Sequence, residues 1–555
     1  MCLNKTSQIY EILKKYNRYE TLYRFIKETI DWKKISPTNY VVLGFEYPYF
    51  DKDYLSVYYD YQARKFAESN RFCLRIHFFH KRDSKKSSGD STERAREIID
   101  LKRADLFSDG FKYCGCLVCR ECDNGLTIGR TYLSPDIVNI NQKPVEIITS
   151  NYSCSIAGKR CACDAVPFSM QEGDYDVCAH VAIWCVVRHF GNSYRAHADT
   201  TMGDVVIKAP RSSGNSLKSN GLNIVQVSDI LTSYSHNPIV VRAKDHSEVE
   251  TVFSNELVTY IESGMPFVGF LSRKEHAVAV FGHKSPEIKL LESEYFRKQA
   301  RVVWTHSVLN KTTKYVKRYR LPFIDYASLV DGLVVNDDNH SPYRVVVSKS
   351  EMPVLGRRDF NHLDYSLHYI DAAVVPFHSS INFGYSDVLN AVKDFLFKCF
   401  CSFTHVEPVH NKAFNYEKFG FCGEVRNDNI EDKVFRVFLA SSNTFKEWYC
   451  RYYEENSHLM PEKDAVRFES ILYSNLPKFI WCVEFSSVDE LKNSKVSSLI
   501  IMDSTAGTSN PNPWLIVHGP KMTVIKQPDG KYASWLFPPL DVLFPKFLGN
   551  YSSYS

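Results

Sequence analysis

Residues 179–190 read AHVAIWCVVRHF, and no other stretch limits the fold as much. Its apolar centre, Val181 to Val187, is the densest in the chain and only seven residues long. A membrane-spanning helix needs about 18 or more apolar residues in a row. The run therefore predicts a helix buried in a protein core, and no membrane span. The remaining chain can supply that core, because 44% of its 555 residues are apolar and 36 Phe, 34 Tyr and 7 Trp are among them. At roughly 100–200 residues per domain, the length predicts about three or four domains. Charged residues at 24%, with 24 Gly and 23 Pro, exclude a collagen, a coiled coil and a wholly disordered chain.

Charge narrows the partners. Lys and Arg number 68 against 64 Asp and Glu, a net +4, so the chain lacks the basic footprint of a dedicated nucleic-acid binder. The first residues, MCLNKTSQIYEILKKYNRYETLYRFI, place Lys, Glu and Arg between apolar residues at helical spacing. A secretory signal would need an unbroken apolar core. A cytoplasmic protein is expected, and its 16 Cys are expected as free thiols.

Periodicity divides the chain into three expected units: residues 1–165, 166–350 and 351–555. The first holds a helix over 5–35, a strand at 41–45 and an aromatic stretch over 47–66 that reads as helical. It continues with an alternating strand at 71–79, an exposed polar loop at 81–96 and a strand at 145–149. The polar stretch 150–164 marks the boundary. The second unit contains the helix 179–190, a Ser/Asn/Gly-rich loop at 211–221 and strands at 266–271, 276–282 and 333–336. The third contains a strand at 370–377, helices at 386–400 and 443–455, and strands at 479–485 and 497–503.

Three residues in the middle unit carry chemistry. Cys178 stands at the start of the apolar helix, where the helix dipole favours a thiolate, although a free Cys is more often inert core. His276 opens the strand HAVAVFGH, where the ring can be held at a cleft edge or simply be half buried. Asp337 and Asp338 follow the strand LVVN, a position that also suits plain turn formers.

Taken in order, these residues resemble the papain-like cysteine peptidases. The nearer resemblance is to the bacterial branch typified by double-glycine leader peptidases. There a Gln precedes the Cys; here MQEGDYDVCAHVAIW places Gln171 before Cys178. In ESGMPFVGFLSRKEHAVAVFGHK, Gly264, Pro266 and His276 hold the matching positions. The acid after the next strand corresponds to Asp337, with Asp338 as the alternate. The resemblance covers residues 166–345. It implies an α+β fold, with a papain-like core flanked by N-terminal and C-terminal mixed α/β domains. It further implies a Cys178–His276–Asp337 triad, with Gln171 and the Cys178 backbone N–H as oxyanion donors. A protein or peptide would be the substrate, and no cofactor or metal is implied. Two departures stand out. Ala179 replaces the usual Gly after the Cys, and Gln171 lies seven residues upstream where six is usual. The acyl-thiol intermediate could also pass to an amine, as in transglutaminase-type acyltransferases, or the fold could serve as a non-enzymatic binding module. The segments IGRT, CAHVAIW, DD…PY and W-x-x-E…D-x-T are also similar to a group of large bacterial proteins of unassigned activity. That likeness implies a bacterial, cytoplasmic protein. A large peptidase-like chain with two accessory domains suggests a regulated effector, with bacterial stress or phage defence as its setting. The loop 211–221 is expected to cover Cys178 until a partner, ligand or oligomer rearrangement moves it.

Cys114, Cys116, Cys119 and Cys122 spell C-x-C-x₂-C-x₂-C, with Cys154, Cys161 and Cys163 following. Four ligands within nine residues match no common zinc knuckle, and a strand is expected instead. On a regular strand Cys114 and Cys116 would share one face and Cys119 the other. His180 and His189 are expected to be packing or surface residues, and Glu484, Asp503 and Thr505 to be strand-end residues with turn chemistry.

Overall fold

The computed structural model describes residues 2–3, 20–34, 39–64, 70–82, 111–122, 125–156, 158–172, 178–194, 197, 199–209, 221–243, 247–271, 275–294, 297, 301–309, 316–347, 370–402, 433–507, 513–519, 522–527, 529–536 and 543–554. The expected polar loop after residue 82 and the expected lid at 211–220 lie outside them. Helices and sheets are both abundant, and the fold is α+β.

Three large sheets organise the described residues. The first has seven strands, in the order Cys2–Leu3, Asn39–Tyr49, Cys73–Arg82, Phe111–Cys122, Gly125–Leu133, Lys159–Phe168, Ser150–Ile156. The stretch expected to be a polar boundary is thus a hairpin, in which Tyr152 and Ile156 are buried and Cys163 lies opposite Tyr152. Alternation, masked by its Ser, Asn, Lys and Arg, is what makes it a strand pair. The expected helix over 47–66 shortens to Lys52–Tyr58, capped by Asp51, whose side chain accepts from the Tyr54 N–H at 3.0 Å.

The second sheet runs Arg344–Val347, Gly332–Asn336, His276–Lys284, Phe267–Leu271, Ala372–His378, His236–Arg242, and Val145–Ile147 and Ser552–Tyr554 attach to it. The third runs Arg301–Leu309, Val316–Asp325, Lys433–Ser441, Phe479–Ser486, Ser498–Asp503, Trp514–His518, Met522–Lys526, Tyr532–Leu536. Residues 145–147, 301–325, 372–378 and 552–554 thus join sheets most of whose strands come from a different expected unit.

The helix Cys178–Ser193 lies between the first two sheets, and every residue from Ala179 to Phe190 is buried. The core that encloses it draws on the first sheet through Val166 and Phe168 and on the second through Val268, Ala279 and Phe281. A helix apolar all round needs such a double cover. Trp184 is 1% exposed, and deleting a ring of that size from a core costs about 3–5 kcal/mol. One polar anchor fixes the helix. The Arg188 guanidinium donates to both Asp53 carboxylate oxygens, at 3.2 and 3.3 Å, and to the Thr200 carbonyl at 2.7 Å. The Trp184 Nε1–H donates to Asp53 at 3.1 Å.

Candidate functional site

The strand His276–Lys284 pairs antiparallel with Gly332–Asn336, Ala279 lying opposite Asn336. Continuing that register brings residues 337–339 alongside the strand's first residues. A turn closes there, with the His340 N–H on the Asp337 carbonyl at 3.1 Å. Asn336 holds the turn from behind, donating to the Pro167 carbonyl at 2.8 Å and accepting from the Tyr343 N–H at 3.0 Å. The loop is thus fixed between the first two sheets.

His276 Nε2 lies 3.2 Å from Asp337 Oδ1 and 3.7 Å from Asp338 Oδ1. Both carboxylates are on the Nε2 side, which leaves Nδ1 free to face the Cys178 thiol, whose influence reaches the ring. Burial alone would lower the His276 pKa. The Asp337 hydrogen bond and the interaction with Cys178 outweigh burial and push it up to about 10. The ring is therefore an imidazolium at neutral pH. Burial would raise the Asp337 pKa, but the bond and charge of His276 outweigh it, and the carboxyl sits below the usual range. Cys178 is the first residue of its helix and half buried. A cation beside a sulfur at a helix N-terminus is the setting in which thiols act as nucleophiles.

Gln171, named from sequence as an oxyanion donor, gives its Nε2–H to Asn339 Oδ1 at 3.1 Å. Its neighbour Glu172 is fixed by the Gln62 amide at 2.8 Å and Arg120 at 3.4 Å. Residues 173–177 lie outside the described residues. Asn339 is the participant that sequence reasoning missed. Its backbone N–H donates to Asp337 Oδ1 at 2.9 Å, and its side-chain amide to Asp338 Oδ1 at 3.3 Å. The signal was the D-D-N run, in which an Asp commonly accepts from the backbone two residues on.

His276, Asp337 and Asp338 also offer three ligand atoms within 4.8 Å of one another, the arrangement a metal ion would use. The Nε2–Asp337 hydrogen bond already occupies the central pair, and a cation there would displace it. Among the described residues, Cys114, Cys116 and Cys119 form no common ligand set. Gly115, at φ +111, makes a bulge, and a Cβ there would meet the Tyr132 carbonyl oxygen at 1.8 Å. The bulge shifts the register, so Cys114 and Cys119 enter the same core while Cys116 lines a cavity on the other face. The expected facing of Cys114 and Cys116 on one side is thereby corrected. The Cys122 side chain lies outside the described residues.

His180 and His189 are both buried, and burial pushes them down to about 4 and about 3, so they are neutral packing groups. Glu484 is no turn residue: it is 2% exposed and pairs with Arg436 at 2.7 Å. Asp503 does form a turn, accepting from the Thr505 N–H at 2.9 Å. No helix among the described residues is long and apolar enough to cross a membrane. Compared with family models, curated proteins and solved structures, the chain matches none.

Proposed function

We propose that the chain is a cysteine-type amide-bond hydrolase, a peptidase with a papain-like core between two accessory α/β domains. One observation carries this reading. The His276 ring bonds a buried carboxylate at 3.2 Å, and the helix-terminal Cys178 thiol is close enough to raise the ring's pKa. In the proposed reaction Cys178 sulfur attacks the substrate carbonyl carbon. His276 gives its proton to the departing amine, and the thioester forms. Water, deprotonated by His276, then attacks the thioester and releases the acid. Asp337 holds the ring orientation throughout. Gln171 and the Cys178 backbone N–H serve the oxyanion, for which Gln171 must turn away from Asn339. Such a donor is worth about 10²–10³ in rate. The substrate is a protein or peptide. The setting we favour is a bacterial cytoplasmic effector of stress or phage defence, governed by a partner or by oligomer rearrangement.

The test is selective alkylation. Iodoacetamide at neutral pH should modify Cys178 ahead of the other thiols, and His276→Ala should slow that reaction. Cys178 reacting no faster than the remaining cysteines would leave a binding module as the better description. Turnover that needs an added amine would turn the assignment to acyl transfer.

A further inference from the structure

A second thiol, outside the site built on Cys178, sits in its own hydrogen-bonded chain. Cys154 lies on the hairpin strand Ser150–Ile156, half buried. The Tyr113 hydroxyl is 3.0 Å from its sulfur. His77 Nδ1 is 3.2 Å from the same hydroxyl, and His77 Nε2 is 3.2 Å from Glu46 Oε2. Cys116, displaced to this face by the Gly115 bulge, lines the same cavity as Cys154. Arg75 crosses from Glu46, at 2.7 Å, to the Ser155 carbonyl, at 3.1 Å, and brings its charge beside Cys154.

Cys154, Tyr113, Cys116 and Arg75 of this set face a cavity of about 240 Å³ lined by strands of the first sheet. Tyr49, Arg75, Tyr113, Cys116, Arg130 and Cys154 are among its lining residues. The space suits a small polar molecule and not a polypeptide. The Cys116 and Tyr113 hydrogen bonds outweigh burial and bring the Cys154 thiol down to about 7. Burial pushes the thiols of Cys73, Cys114, Cys119, Cys163 and Cys185 up. None of this chemistry enters the reaction assigned to Cys178.

We propose that Cys154 and Cys116 form a peroxide-reactive dithiol, with a small hydroperoxide as the reactant admitted to the cavity. The Cys154 thiolate attacks the terminal peroxide oxygen, the O–O bond breaks, and water leaves once hydroxide takes up a proton. Cys154 is then a sulfenic acid. The Cys116 sulfur attacks the Cys154 sulfur, an S–S bond forms, and a second water leaves. Two thiols and one hydrogen peroxide thus become one disulfide and two waters, with the peroxide reduced and the two sulfurs oxidised. The Tyr113 hydroxyl can offer its proton to the sulfur or to His77, so it follows the sulfur's charge. Cys161 stands directly across the hairpin from Cys154 and is the rival resolving thiol. It packs with Val42, Phe79 and Ile156, whereas Cys116 shares the lining of the cavity with Cys154.

The experiment uses the full chain carrying Cys178→Ala, so the outcome is independent of the hydrolase reading. Hydrogen peroxide is added at stoichiometric level, remaining thiols are alkylated, and non-reduced peptides are analysed by mass spectrometry. The expected result is a loss of two hydrogens and a Cys116–Cys154 cross-link, reversed by dithiothreitol. Cys154 should react at least about tenfold faster than Cys450, a half-exposed helical thiol held protonated by Glu454. Cys116→Ser should leave Cys154 sulfenic acid that a dimedone probe captures. The milder Cys116→Ala gives the same reading if the Ser variant fails to fold. A link to Cys161, or Cys154 oxidising no faster than Cys450, overturns the proposal.

Discussion

Among the described residues two cysteine–histidine–acid sets stand out, and their histidines go opposite ways. His276 is pushed up to about 10, whereas His77 is held below its ordinary value. Burial opposes charge on both rings, and their side chains are 15% and 0% exposed. The acids make the difference. His276 bonds Asp337, a carboxylate only 1% exposed, and that bond together with the influence of the Cys178 thiol raises the ring's pKa. His77 faces Glu46, which is 40% exposed and already paired with Arg75 at 2.7 Å. A carboxylate shared with a guanidinium has little left to stabilise a second cation, and the Arg75 charge itself disfavours one. Tyr113 then stands between His77 and the sulfur. One arrangement suits a charged pair that moves protons to a substrate. The other suits a thiol that changes charge beside a neutral network.

The sharpest way to break this contrast is to remove each sulfur. Cys178→Ala should lower amide hydrolysis by about 10⁴–10⁶, as loss of a nucleophile does. Cys154→Ala should leave turnover within about twofold. Initial rates on a fluorogenic peptide or casein compare the two variants. If both abolish turnover alike, the two sets are one machine and the contrast fails.

The next largest effect belongs to the bases. His276→Ala should slow Cys178 alkylation at neutral pH by about 10²–10⁴, the range for a lost general base. His77→Ala should not change that rate, and pseudo-first-order iodoacetamide kinetics measure both. Equal slowing would mean that His77 acts on Cys178 through the core.

How far these sites were legible in the sequence follows the same physics. Local signals gave the elements: the helix Cys178–Ser193 and the strand His276–Lys284 stand where the apolar runs put them. Pairing was not legible, because strands 145–147 and 552–554 meet across about 400 residues and no periodicity encodes a partner. The Cys154 set was invisible for a related reason. Its residues come from four strands, and Cys116 reaches the cavity only because Gly115 adopts φ +111. A regular alternation would have put it elsewhere. Asn339 was overlooked because its part is played by a backbone N–H as much as by its side chain.

Titration sharpens the comparison without relying on turnover. A histidine whose folded pKa is raised stabilises the protein fully below its unfolded pKa near 6.5. That contribution is lost as pH rises through about 10. The urea midpoint should therefore fall more between pH 7 and pH 10.5 in the parent chain than in His276→Gln, which has no proton to lose. His77 is lowered, so its protonation on acidification opposes folding, and His77→Gln should hold its midpoint better than the parent below pH 6. Parallel midpoints in all three proteins at every pH would remove the electrostatic distinction between the rings.

The smallest effect tests the spacer. Tyr113→Phe keeps the ring packed against Phe79, 5.3 Å between centroids, and deletes only the hydroxyl. A hydrogen bond of this kind is worth about 1 kcal/mol net, or about fivefold in a rate that depends on the ionised sulfur. Peroxide oxidation of Cys154 should slow by about that factor at pH 7, and the deficit should shrink as pH rises and the thiol ionises unaided. Phe at this position also cuts His77 from the sulfur. If Tyr113 merely stabilises the thiolate, Tyr113→Phe with His77→Gln should be no slower than Tyr113→Phe alone. If the double variant is slower still, His77 reaches Cys154 by another route, and the neutral-network half of the contrast has to be redrawn.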